Sequence, residues 1–241
     1  PDINEQIEFD RSLSSLGEFL NQKKAFVFET KNEIYIDRAQ NIANEFDLKL
    51  WIKGSGYEYR RINELKQNFM IIPIDYPSKP EVTNPQTALQ YSTHQLKHWD
   101  LAPDNLKKLS EQNLKFAISS SGLKNKEDFR KNLSHSIRRG LSEKDALASL
   151  TTIPAQAFGQ SKRLGKIAPG YMANLAITDG NYFNENSTVQ SIWIEGNKIE
   201  ISPEPINELS GIWTLKERER EWTLDIDKKG STYSAKLKKD G

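Results

Sequence analysis

Three histidines and no cysteine are the whole imidazole and thiol inventory of this 241-residue chain. His94 and His98 stand four residues apart. On a helix that spacing places two imidazoles on one face, as zinc-binding helices do, but Gln95, Leu96 and Lys97 lie between them and the glutamate that serves as base in such helices is missing. Packing or surface roles are therefore expected for both. His135, flanked by Ser134 and Ser136, falls off the apolar face of its helix and is expected to meet solvent. A chain without thiols has no disulfide, no thiolate metal site and no cysteine nucleophile. The run Ser119-Ser120-Ser121-Gly122 lacks the flanking pattern of a nucleophile elbow and has no base beside it in the sequence.

The elements that would position such groups alternate. Four short, continuous apolar runs, residues 24–29, 48–53, 69–74 and 114–119, read as buried parallel strands. After the first, Ile34, Ile36, Ala39, Ile42, Ala43 and Phe46 recur at helical spacing, and residues 57–67 repeat the arrangement after the second. A polar loop over residues 75–95 follows the third, then a helix over residues 103–112 with Pro103 in its first turn. After the fourth, Phe129, Leu133 and Ile137 return every four residues, and Gly140 supplies the C-terminal cap.

Residues 141–180 carry the densest local signals. Ser142 is an N-cap with Asp145 three residues on, and Ala146, Leu147 and Leu150 share one helical face. Pro154 ends that helix near Thr152 and allows a new short turn to start. Pro169-Gly170 marks a type II turn, which predicts that residues 166–168 pair with residues 173–178. A second strand pair, residues 188–194 and 198–201, closes around Glu195-Gly196-Asn197, and Pro203 and Pro205 read as a linker. Beyond them Trp222, Leu224 and Ile226, then Tyr233, Ala235 and Leu237, alternate about Lys229-Gly230 as an antiparallel β-meander would.

Ala146, Leu147, Leu150, Thr151, Pro154, Ala155 and Gly159, followed by Gly165, Ile167, Gly170, Ala173, Asn174, Leu175, Asp179 and Gly180, resemble the closing segment of the amidohydrolase superfamily, specifically its imidazolonepropionase-like metal-dependent hydrolases. The resemblance implies an α/β fold: the C-terminal half of a TIM-type (β/α)8 barrel, part of a small β-sandwich and a C-terminal β-meander. It divides the chain into a partial barrel of about four βα units over residues 1–160, composite sandwich strands over residues 161–202, and linker plus meander over residues 203–241. A complete barrel has eight strands in roughly 250 residues. The expected partners are therefore the missing N-terminal half of the barrel or a second chain that supplies it, together with a second amidohydrolase module.

Members of that superfamily cut C–N and related bonds with one or two divalent metals such as zinc, which lower the pKa of a bound water. By resemblance, ligands come from an HxH on the first strand, a histidine at the ends of the fifth and sixth, and an aspartate at the end of the eighth. If the four strands here are the fifth to the eighth, their ends carry Glu29 or Thr30, Lys53 or Gly54, and Ser119, Ser120 or Ser121. A charged lysine cannot ligate a metal and a serine hydroxyl is a weak substitute for a carboxylate. No metal bound by this chain and no catalytic residue within it are expected, with Glu29, Lys53 and Ser120 left as substrate-binding groups at strand ends.

Three readings follow. The chain resembles the first, metal-site-degenerate module of a tandem amidohydrolase pair, serving as non-catalytic scaffold. Alternatively it belongs to an active hydrolase whose metal-binding half lies elsewhere. A third reading takes the meander, with Trp213 and Trp222, as a ligand-binding module. Tandem proteins of that kind are often exported, so a periplasmic or secreted location is expected. A net charge of +1 with interspersed signs argues against nucleic acid, and the absence of a long apolar run argues against a membrane span. The opening PDINEQIEFD is polar and acidic, unlike a signal peptide.

Overall fold

The computed structural model describes residues 11–202, 209–217, 220–229 and 232–239. The opening ten residues, the linker prolines Pro203 and Pro205, and Gly230 of the last turn lie outside that set. The chain divides into two compact units, with the boundary between Gly159 and Gln160.

The first unit is built on a parallel sheet whose strands, β1 (Ala25–Glu29), β2 (Lys49–Lys53), β3 (Phe69–Pro73) and β4 (Phe116–Ser119), neighbour one another in chain order. Each connection between consecutive strands carries helical turns and is long enough for the crossover that parallel pairing requires. Register sets Phe26 beside Leu50, Phe28 beside Ile52, Ile52 beside Met70, and Met70 beside Phe116, so these side chains share one face. That face is the core: Ile52, Met70 and Ile72 have no exposed surface, and Ile36, Ala39 and Ala43 of α2 (Glu33–Glu45) and Leu106 and Leu109 of α5 (Asn105–Glu111) are buried with them. The opposite face is open. Val27 is 55% exposed there, and Trp51 is only half-buried although Phe69 and Phe158 each meet it edge to face.

The helices match the expected order, with instructive departures. α1 (Arg11–Asn21) precedes β1, and Asn32 caps α2 by accepting from the N–H groups of Ile34 and Tyr35. Residues expected to form an α-helix after β2 form instead a 3-10 helix, Glu58–Glu64, kinked at Arg61. The stretch read as a polar loop contains α3 (Pro85–Ala88) and the start of α4 (Thr93–Leu101), a helix opened by a reciprocal capping box between Ser92 and Gln95. A 3-10 turn, Ala102–Asp104, precedes α5. In α6 (Asp128–Arg138) Ser134 and Ser136 are buried. His135 is half-buried, edge-on to Tyr76, rather than free in solvent, because the turn after β3 folds back onto this helix and Tyr76 bonds Ser136. Ser142 caps α7 (Glu143–Leu150) through the N–H of Asp145, and the helix breaks at Thr151 before α8 (Thr152–Ala157).

In the second unit β5 (Leu175–Thr178), β6 (Val189–Ile194) and β7 (Asn197–Glu200) form an antiparallel sheet. The type II turn at Pro169-Gly170 is present, with Gly170 at φ 85° and a hydrogen bond from the N–H of Tyr171 to the carbonyl of Ala168. Residues 166–168, however, form no strand, and β5 pairs with β6 instead. Ile167 is accordingly 87% exposed. A separate antiparallel sheet of β8 (Gly211–Glu217), β9 (Arg220–Lys229) and β10 (Thr232–Lys239) is the expected meander. Its register puts Trp213 opposite Leu224 and Leu215 opposite Trp222, so both tryptophans lie on one face. No helix among the described residues is long and apolar enough to cross a membrane.

The two sheet faces predict unequal costs of truncation. Ile52→Ala, at a fully buried central position, is expected to lower unfolding free energy by about 2–5 kcal/mol, whereas Val27→Ala on the open face is expected to change it by about 0.5 kcal/mol or less. Chemical denaturation of the two variants measures the difference.

Candidate functional site

Loops leaving the C-terminal ends of the four parallel strands surround a cleft of about 390 Å³. Glu29, Thr30 and Lys31 come from the end of β1, Lys53, Gly54 and Ser55 from β2, Pro73 and Asp75 from β3, and Ser121 and Gly122 from β4. Lys53 donates to the Glu29 carboxylate at 2.7 Å, the cross-strand pair that the β1–β2 register dictates. Both the hydroxyl and the N–H of buried Thr30 donate to the carbonyl of Lys53, at 3.0 and 2.9 Å, which fastens the two strand ends together.

Beneath the cleft sits Glu58, with no exposed surface. Its Oε1 accepts from the N–H groups of Ser55 (2.7 Å) and Gly56 (3.2 Å), and its Oε2 from the Asn105 amide (2.6 Å). Asn105 in turn accepts from the N–H of Tyr59. The approach is so close that a Cβ at Gly54 would lie 2.5 Å from Glu58 Oε1 and 2.8 Å from Ile72. On the other side of the cleft, Gly122 has φ 86°, and a Cβ there would lie 2.7 Å from the Asp75 carboxylate.

Of the three residues singled out in the sequence, Glu29 and Lys53 line this cleft and touch each other. Ser120 is absent from the lining. Its carbonyl accepts from Lys126, and Ser121 takes the place at the wall. Sequence reasoning misses Lys31, Ser55, Asp75 and Gly122. Asp75 had a signal, since it stands at the exit of the third apolar run, where parallel strands present their functional groups.

A second cleft of about 210 Å³ shares no residue with the first. Tyr57, Pro77, Ser78, Pro80, Tyr91, His94, Gln95, His98 and Trp99 line it. The His98 ring stacks on Tyr57 with centroids 3.8 Å apart, and its Nδ1 lies 3.1 Å from the Tyr59 hydroxyl. Burial, then the Arg60 guanidinium, then His94 hold the His98 imidazole well below its ordinary range, at a pKa of about 4. Burial likewise raises the Tyr59 phenol.

The model of the amidohydrolase family matches residues 59–199, more than half of the chain, from ahead of β3 into β7. The chain belongs to the amidohydrolase family. This amidohydrolase chain is similar to a solved amidohydrolase from Thermotoga maritima MSB8, with TM-score 0.62 at 24% identity over 80% of this chain and 47% of the other. Another solved amidohydrolase matches at TM-score 0.53 and 14% identity over 80% and 47% of the two chains, and a prolidase complexed with N-methylphosphonate-L-proline at TM-score 0.51 and 17% identity over 72% and 44%. At these identities the likeness is one of fold. In sequence it is similar to the amidohydrolase tasK of Hapsidospora irregularis, 39% identical over 57 residues, 24% of this chain and 6% of tasK. The chain thus spans about half the length of the solved relatives and a small part of tasK.

The family typically uses divalent metals, and the groups at these strand ends do not fit one. The Thr30 hydroxyl is spent on a backbone carbonyl, the Lys53 ammonium on Glu29, and Gly54 has no side chain. Ser119 Oγ accepts from the N–H of Ser121. Glu29 and Asp75 are the carboxylates of the lining, and among the described residues no three His, Cys, Asp or Glu side chains gather closely enough to hold an ion.

Two outcomes test this geometry. Glu58→Ala leaves the buried donors of Ser55, Gly56 and Asn105 unpaired and is expected to destabilise the unit by about 1–3 kcal/mol, while Glu29→Gln, which breaks an exposed pair, is expected to cost about 1 kcal/mol or less. For His98, the folded protein prefers the neutral ring, so its contribution is complete above pH 6.5 and is lost as pH falls from 6.5 towards 4. An imidazole NMR titration should give a midpoint near 4, and a His98→Gln variant should lack that part of the acid-induced loss of stability.

Proposed function

We propose that this chain is the C-terminal half of an amidohydrolase (β/α)8 module that acts as scaffold rather than as a catalytic centre. The single observation that carries the reading is the chemistry of the strand ends. Where the fold presents histidine and aspartate ligands, this chain presents Thr30 and Lys53 already committed to neighbours, Gly54 without a side chain, and serines. The open sheet face with Val27, Trp51 and Phe69, and the outer edges of β1 and β4, which pair with no strand among the described residues, would be covered by strands from another part of the same polypeptide or from a second chain. The β5–β7 sheet would complete a small sandwich in the same way. In this reading the segment is the first module of a tandem pair, with hydrolysis of a C–N bond carried out by the second, in a periplasmic or secreted protein.

The cleft favours a second reading. Its volume lies in the range of small-molecule sites, and it brings Glu29, Lys31, Lys53 and Asp75 to one mouth. An active hydrolase could use them to hold substrate while the metal-bearing strands come from outside this chain.

Kinetics of the full-length protein separate the two. As scaffold, Glu29→Gln and Lys53→Met leave turnover and KM unchanged, and anomalous scattering finds no ion within bonding distance of Glu29, Thr30 or Lys53. A rise in KM of about tenfold or more, roughly 1.4 kcal/mol of lost binding, selects the substrate-binding reading. An ion bound by Glu29 and a second side chain of this chain would overturn the scaffold.

A further inference from the structure

The second cleft contains a pair of groups that the strand-end chemistry leaves unused. His94 and His98 lie four residues apart on α4, a nine-residue helix, and both line the same concavity. At that spacing two helical side chains stand one above the other. His98 is held in place twice: stacking on Tyr57 sets the ring plane, and the Tyr59 hydroxyl at 3.1 Å from Nδ1 sets its rotation. Arg60 Nε donates to that same hydroxyl, whose oxygen has a second lone pair to accept from Nδ1–H when Nε2 carries a ligand. With Nδ1 against Tyr59, Nε2 is the ring nitrogen available to a ligand. No carboxylate, lysine or arginine is in the lining, and Arg60, which lies over the Tyr57 ring, is paired with Glu33.

We propose that His94 and His98 together bind one divalent transition-metal ion of the borderline class, Cu²⁺, Ni²⁺ or Zn²⁺, with water completing the coordination. Neutral imidazoles select such ions over Mg²⁺ and Ca²⁺, which take oxygen ligands. Tyr59 is the outer partner that orients a ligating imidazole through its other nitrogen. For this one place the proposal revises the expectation that the chain binds no metal. It is independent of the strand-end cleft and of the scaffold reading.

The test uses the whole chain, stripped with EDTA and titrated calorimetrically with NiCl₂ and MgCl₂. One Ni²⁺ per chain and no Mg²⁺ are expected. His94→Gln, an exposed position whose change leaves the stack intact, should weaken Ni²⁺ about tenfold or more, as should His98→Gln, while His135→Gln should not. Paramagnetic Ni²⁺ should broaden the His94 and His98 imidazole signals and spare those of His135. Wild-type affinity in His94→Gln, equal binding of Mg²⁺, or broadening confined to His135 would each overturn the proposal.

Discussion

The buried carboxylate of Glu58 is the interaction on which the first unit turns. It gathers two backbone N–H groups from the loop after β2 and the amide of Asn105 from α5, and Asn105 passes the constraint to the N–H of Tyr59. Charge-assisted bonds of this kind are strong where water is excluded, and losing one partner strands the rest. One side chain therefore holds β2, the 3-10 helix Glu58–Glu64 and α5 in mutual register. Both clefts inherit their walls from it, the first through Ser55 and the second through the adjacent Tyr57.

A parallel sheet normally buries both faces. Here the helices bury one, with Ile52, Met70 and Ile72 at zero exposure, and leave the other to Trp51, Phe69 and Phe158 in edge-to-face contact. The asymmetry places Glu29 and Lys53 at the end of the open face rather than against the helices, because they share the alternation of Val27 and Trp51. Through Glu29 and Lys53 the strand-end cleft borders the uncovered apolar surface.

The strands were legible because each is a continuous apolar run, and α2 and α6 because their apolar residues repeat at helical spacing. The helix expected over residues 57–67 gives way to a 3-10 helix where the Glu58 side chain captures backbone N–H groups of the preceding loop, a tertiary demand that periodicity does not encode. α4 escapes a pattern reading because it has no buried residue, although Ser92 and Gln95 spell its capping box. Residues 166–168 leave the expected pair because the Arg163 carbonyl accepts from the N–H of Met172 and holds the chain in successive turns. At the site, Glu29 and Lys53 follow from strand position alone. Which serine of the run after β4 turns inward depends on the path of its loop, and the contacts of His98 with Tyr57 and Tyr59 join residues about forty apart, beyond any local pattern.

Asn174 shows what kind of information the family's closing segment holds. Its Oδ1 accepts from the N–H of Glu195 at 2.8 Å, and the neighbouring Ala173 carbonyl accepts from Gly196 at 3.1 Å, so the two clamp the hairpin between β6 and β7. Glu195 and Gly196 both have positive φ, a twist that unaided residues other than glycine resist. The asparagine is a fastener for a strained bend and does no bond cleavage. Assigning an enzymatic activity to a newly sequenced gene because it shares this fastener would credit it with an architecture and mistake that for a reaction.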